Sequence, residues 1–139
     1  MSALENNVQT IKETVTSPLP NPPALTSVAQ PRDLKARLEW GEPALTIIDV
    51  RDRETYNRKR ITGAVPMPLN TLVDQAKASL EFVRDIYVYG SDDAETSQAA
   101  ELLRQAGFIH VAELQGGLNG WIEVGGSING VESVPTRQK

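Results

Sequence analysis

The residues with chemical potential gather in one short run, Ser91, Asp92, Asp93 and Glu95, a hydroxyl beside three carboxylates. Carboxylates packed this closely can hold a hard cation, which keeps waters beside one or two of them, and such a cation can assist hydrolysis. The same residue types have a plainer use. Asp92 or Asp93 at a helix N-cap and Glu95 in its first turn would satisfy free backbone N–H groups and suit the positive end of the helix dipole. No metal-loop spacing of the EF-hand kind is present, so capping is the expected role and no metal is expected. Ser91 as a nucleophile needs an adjacent base. The chain has one histidine, His110, and nothing in the spacing brings it to Ser91, so serine catalysis is not expected. Cysteine is absent altogether. That removes disulfides, thiolate metal sites and cysteine nucleophiles.

The elements around this run form a regular alternation. Val28-Ala29 reads as a short edge strand. Pro31 to Glu39 reads as a helix with proline in its first turn. Leu45 to Val50 is a β-branched, nearly continuous apolar run, the mark of a strand covered on both faces. Glu54 to Lys59 reads as a short helix and Leu72 to Phe82 as a longer one. Asp85 to Gly90 is the second strong strand, and the Ser91-Asp92-Asp93 loop follows it. Ala94 to Ala106, rich in alanine and stopped by Gly107, is the strongest helix. Ile109 to Leu114 reads as a strand, Gly116-Gly117 as a turn and Leu118 to Val124 as a last helix. Strands alternating with helices imply βαβ units and a mainly parallel sheet. In such sheets ligands sit beyond the carboxyl ends of the strands, which singles out the loop after Tyr89. Trp40 and Trp121 are expected as core or half-buried packing residues, and Tyr87 and Tyr89 share one face of their strand.

Outside this alternation, Leu4, Val8, Ile11 and Val15 form the apolar face of a short helix. The Pro18, Pro20, Pro22 and Pro23 stretch after it reads as an extended linker. The expected organisation is therefore an arm and linker over residues 1–24, a domain over 25–127 and a polar, loosely held tail over 128–139. Hydrophobic residues make up 40% and charged residues 23% of the 139, with a net charge of −4. A negative chain with scattered Lys and Arg argues against a nucleic-acid partner. No apolar run approaches the ~20 residues of a membrane span. The N-terminus lacks a basic stretch followed by an apolar one, so a cytoplasmic location is expected.

Four segments taken in order resemble the rhodanese family. Ile47-Ile48-Asp49-Val50-Arg51-Asp52-Arg53-Glu54-Thr55-Tyr56 is similar to the family's opening IDVR-x-x-x-E-(Y/F). Arg60-Ile61-Thr62-Gly63-Ala64-Val65-Pro66-Met67-Pro68-Leu69 resembles its HIPGAINIPL segment. The strand Ile86 to Tyr89, its loop and the helix to Gly107-Phe108 form the third. Val111 to Trp121 resembles V-x-x-L-x-GG-x-x-x-W. The likeness runs from about Val28 to about Gly126. It implies an α/β, three-layer fold with a central five-stranded, mainly parallel sheet flanked by helices.

In active members of the resembled family the loop reads Cys-x-x-Gly-x-Arg. The cysteine carries sulfur as a persulfide, and loop N–H groups and the arginine hold an anion such as thiosulfate. On this chain the cysteine position falls on Gly90, the glycine on Asp93 and the arginine on Glu95. Arg60 stands where the family has histidine. Asp49 and Arg51 are implied to fix the turn after the first buried strand. Two like charges ~4 Å apart repel by several kcal/mol at an intermediate dielectric, so the acidic loop is expected to reject thiosulfate. The resemblance thus implies a non-catalytic domain without a cofactor, used as a protein-binding, regulatory or scaffolding module. Its expected contact surfaces are the degenerate loop Gly90, Ser91, Asp92, Asp93, Ala94 and Glu95, and the arm stripe Leu4, Val8, Ile11 and Val15 as a docking arm. The alternatives are a metal-assisted hydrolase or a small-molecule sensor on the same scaffold.

Overall fold

A computed structural model of the chain describes residues 25–41 and 44–132. The arm over residues 1–24, with its Leu4, Val8, Ile11 and Val15, and the tail from residue 133 onward lie outside the described residues.

Two apolar strands form the middle of the sheet. β2 (Leu45–Asp49) and β5 (Asp85–Tyr89) pair in parallel over their full length, from Leu45 opposite Asp85 to Asp49 opposite Tyr89. β6 (Val111–Leu114) adds to the free side of β5, and β1 (Val28–Ala29) pairs outside β6. β4 (Val65–Pro66) closes the other edge beside β2, giving the parallel order β1-β6-β5-β2-β4. Proline is tolerated on such an edge because its missing N–H interrupts no ladder. The mainly parallel sheet expected from the pattern, with the five strands that the resemblance implied, is the one observed.

Side-chain alternation divides the core into two layers. Ile48, Ile86 and Val88 point to one face, where α3 (Leu72–Ser79) and α4 (Asp93–Gln105) cover them with Leu72, Ala76, Ala99 and Leu103. Ile47, Tyr87 and Tyr89 point to the other, against Leu34 of α1 (Pro31–Glu39), Tyr56 of α2 (Arg53–Arg58) and Trp121 of α5 (Gly117–Glu123). The period of two along each strand produces this sorting. α4 is closed at both ends. The Asp92 carboxylate accepts from the Glu95 N–H at 2.8 Å. At the other end Gly107 sits at φ +113 while the Phe108 and Gly107 N–H groups donate to Leu103 and Arg104 carbonyls, the Schellman arrangement that a left-handed residue permits.

Four expectations need correction. The helix from Leu72 stops at Ser79, because Leu80 turns to an extended φ of −127 and lies against the core while Phe82 and Val83 reach solvent. β6 begins at Val111 rather than Ile109. Ile109 is 64% exposed, and its N–H serves the Phe82 carbonyl instead of a sheet ladder. Trp40 is not a core residue. It follows the last turn of α1 and is 52% exposed, whereas Trp121 is buried as expected.

The loosely held tail is tied down over its described part. β7 (Ile128–Asn129) pairs antiparallel with β3 (Arg60–Ile61). The Val131 and Glu132 N–H groups donate to the Asn57 and Arg58 carbonyls. The Trp121 indole N–H donates to the Ser127 carbonyl at 2.8 Å. These bonds are non-local, so a polar composition could not announce them. Among the described residues no helix is long and apolar enough to cross a membrane.

Candidate functional site: a loop filled from within

The chain leaves β2 on one side and, after β4, returns to β5 on the other side of β2. Connections diverge at such a point and leave a crevice beyond the carboxyl ends of the strands. The turn after β2 and the loop after β5 both lie there.

The turn is braced by charge. The Arg51 guanidinium donates to both Asp49 carboxylate oxygens, at 2.7 Å from its terminal nitrogen, and to the Lys59 carbonyl at 2.6 Å. Asp49 is fully buried and Arg51 is nearly so. The Nε and Nη2 donors face acceptors on Asp49 and Lys59, so the pair ties β2 to the segment entering β3, as the resemblance implied. Tyr89 stands behind it. Its hydroxyl accepts from the Ile61 N–H at 3.1 Å. Burial pushes its phenol well above the ordinary value, and the charge of Asp49 adds to that. Arg60, at the family's histidine position, lies 4.5 Å over the Tyr56 ring and donates to the Tyr56 carbonyl.

The loop itself is held by its own side chains. The buried Gly90 N–H donates to the Thr96 hydroxyl at 2.8 Å, and that hydroxyl donates to the Asp92 carbonyl at 3.0 Å. The Ser91 N–H points at the Glu95 carboxylate and donates to Oε1 at 2.7 Å. Asp93 turns the other way and accepts from the Gly116 N–H at 2.9 Å. The three carboxylates therefore serve three different backbone donors, those of Glu95, Ser91 and Gly116. Ser91, Asp92, Asp93 and Ala94 remain exposed, and Glu95 is half-buried.

Glu95 also occupies space. A Cβ placed on Gly90 would lie 2.7 Å from Glu95 Oε1 and 2.9 Å from its Cγ. The side chain of Glu95 thus fills the volume into which a side chain at position 90 would project. Its carboxylate takes the Ser91 N–H, a donor of the loop whose N–H groups hold an anion in active members of the resembled family.

The remaining candidates do not join this site. β5 and β6 run in parallel with Ile86 opposite Val111, which sets His110 level with Asp85. Five residues of strand, about 16 Å, separate that level from Gly90, so His110 cannot act as a base for Ser91. Among the described residues no group of three His, Cys, Asp or Glu side chains is arranged to hold a metal ion. Sequence reasoning missed Thr96, which is 1% exposed and bridges the loop. A β-branched hydroxyl inside an otherwise alanine-rich helix was its only signal. It also missed Gly117, whose positive φ of 54 suits glycine and where a Cβ would lie 3.3 Å from the Gly90 carbonyl oxygen.

These features can be set against known proteins. The rhodanese-like domain family matches residues 30–124. The solution structure of the rhodanese-like domain of the Alr3790 protein from Anabaena sp. is 54% identical, covering 83% of this chain and 87% of that one with a TM-score of 0.77. The protein YqhL of Bacillus subtilis is 32% identical over 75 residues, 54% of this chain and 59% of its own length. The thiosulfate sulfurtransferase PspE of Escherichia coli is 33% identical over 72 residues, 51% of this chain and 68% of its own. The chain thus spans less than two thirds of the Bacillus relative. The sheet order, the loop at its carboxyl end and a match over residues 30–124 agree, and the chain belongs to the rhodanese-like domain family.

Proposed function

We propose that this domain is a non-catalytic, protein-binding member of its family, acting as a regulatory or scaffolding module. The observation that carries the reading is the Glu95 side chain lying over Gly90 with its carboxylate on the Ser91 N–H. A cysteine persulfide needs a thiol, and the chain has none. An anionic sulfur donor needs unoccupied N–H groups and a compensating positive charge, and here a carboxylate stands among them. What remains at the carboxyl end of the sheet is a rigid, exposed acidic rim, Ser91 to Ala94, on a well-capped helix. Rigid exposed loops on a stable scaffold are where binding concentrates. The arm stripe Leu4, Val8, Ile11 and Val15 is the second contact surface of this reading. The hydrolase alternative gains no support, because the three loop carboxylates turn to three separate places, and the sensor alternative gains none, because the Glu95 side chain fills the space beside Gly90.

The test is affinity capture from the native host with three baits: the intact chain, a Ser91→Arg/Ala94→Arg rim variant, and a chain lacking residues 1–24. Both rim substitutions leave the Glu95, Thr96 and Gly116 hydrogen bonds of the loop in place. A partner held by the intact chain and lost with one variant bait is expected. An identical set of proteins on all three baits would remove both surfaces from the account.

A further inference from the structure

The amino ends of the strands carry an apolar patch that the domain leaves in solvent. Phe82, Val83 and Ile109 are 47%, 60% and 64% exposed. They form one surface. The Ile109 N–H donates to the Phe82 carbonyl at 3.1 Å, and the Phe82 ring stands 4.9 Å from that of Phe108. Val83 stands at the rim of a groove of about 640 Å³ that Leu80 and Ala44 line beside the charged Arg37, Glu81, Arg84 and Asp85, so the apolar surface itself ends at Val83. This is the end of the sheet opposite the Gly90–Glu95 loop.

We propose that the occupant of this patch is the arm of the same chain, with residues 4–15 lying as a helix across Phe82, Val83 and Ile109. The point of entry favours it. Val28 lies opposite Glu113 in parallel strands and the Ser27 carbonyl accepts from the Glu113 N–H, so the chain comes into β1 from the amino end of the sheet, the end that carries the patch. Reach permits it. Adjacent strands are ~4.8 Å apart, so the patch, below β6 and β5, begins within about 10 Å of that entry. Residues 16–24, with four prolines, span up to about 28 Å when extended. A helix over 4–15 is about 18 Å long, enough to cross both strands. Chemistry matches it. Four aliphatic side chains meet Phe, Val and Ile, while Glu5, Gln9, Lys12 and Glu13 stay on the solvent side.

A helix this short is marginal in water without a surface to lie on. A tether of this length gives the chain's own arm an effective concentration in the millimolar range, which sets a second copy or a partner at a disadvantage. The inference does not depend on the protein-binding reading. It adds a condition to it: a partner that takes the arm must first displace it from the patch.

Because the chain has no cysteine, Lys12→Cys supplies a single site for a nitroxide on the polar side of the arm. In the full chain, amide signals of residues 80–84 and 107–111 are expected to lose intensity, while those of Gly90 to Glu95 keep theirs. Adding Ile11→Asp should restore the lost signals. Uniform loss, no loss, or loss that persists with Ile11→Asp would overturn the proposal. Loss transferred to isotope-labelled chains that carry no nitroxide, when mixed with labelled ones, would assign the patch to a second copy and overturn it as well.

Discussion

Placing a cysteine at position 90 probes how the loop is filled. The new Cβ would lie 2.7 Å from Glu95 Oε1, 2.9 Å from Cγ and 3.0 Å from Cβ. The two nearest atoms belong to the mobile end of the side chain, so Glu95 swings away and releases the Ser91 N–H. A hydrogen bond to a charged group is worth about 1.5–3 kcal/mol, toward the lower figure at a half-exposed site. Gly90→Cys is therefore expected to lower stability by about 1–2 kcal/mol. In a Glu95→Ala background the bond is already gone and only the contact with Cβ remains, which a shift of a few tenths of an ångström relieves for about 0.5 kcal/mol. The double-mutant cycle should then show a coupling of about 1 kcal/mol in urea unfolding. The thiol gives a second readout. A carboxylate close by disfavours the thiolate and raises its pKa above the ordinary ~8.5. Alkylation of Gly90→Cys should therefore have a higher pH midpoint than alkylation of Gly90→Cys/Glu95→Arg. A cost of Gly90→Cys that is equal in both backgrounds, or a midpoint indifferent to residue 95, would refute the filled-loop geometry.

Gly126→Ala would place a methyl 2.1 Å from the Trp121 indole. It should cost at least about 2 kcal/mol and change the fluorescence of that tryptophan, and a variant of unchanged midpoint would contradict the packing. Arg51→Leu leaves the fully buried Asp49 carboxylate without its guanidinium. A loss of about 3–5 kcal/mol in denaturant unfolding is expected, and a loss below about 1 kcal/mol would mean that Asp49 finds another partner. Tyr89→Phe removes the acceptor of the buried Ile61 N–H and should cost about 1–2 kcal/mol at neutral pH. The raised phenol of Tyr89 keeps its proton in the folded chain after the unfolded chain begins to release it near the ordinary 10.0. Its contribution is thus complete below that pH and lost as pH rises above it. The phenylalanine variant should lose stability less steeply above pH 10, and an unchanged slope would refute the assignment.

The sheet was legible because its strands carry their own signature. Ile47 and Ile48 in β2 and Ile86 to Tyr89 in β5 are apolar on both faces, which only a doubly covered strand requires. The capping of α4 was legible for the same local reason, an Asp three residues before a Glu at the start of an alanine-rich run. The elements that escaped are held by distant partners. β4 is two residues long and exists because Val65 lies beside Ile48. β7 exists because Arg60 and Ile61 offer their edge to residues nearly seventy positions later. Hydrophobic periodicity placed Ile109 in a strand and Phe82 in a helix. Both instead lie where the chain turns at the amino end of the sheet, and no periodic pattern records a turn.

The position of the site was legible from topology and from the acidic run; its internal arrangement was not. Three carboxylates in sequence suggested one shared task, and the structure gives each a different N–H donor. Which donor each finds depends on the pitch of α4 and on the Gly116 turn across the site, neither of which is written in residues 90–95.

The account's central claim is that Glu95 has taken the place of the family's anion. The most direct measurement is a thiosulfate titration of the isotope-labelled full chain, followed at the Ser91 amide and compared with Glu95→Ala. The account predicts no saturable shift at Ser91 in the parent chain and a shift confined to residues 90–96 once the carboxylate is removed. A saturable shift of Ser91 in the parent chain would contradict it.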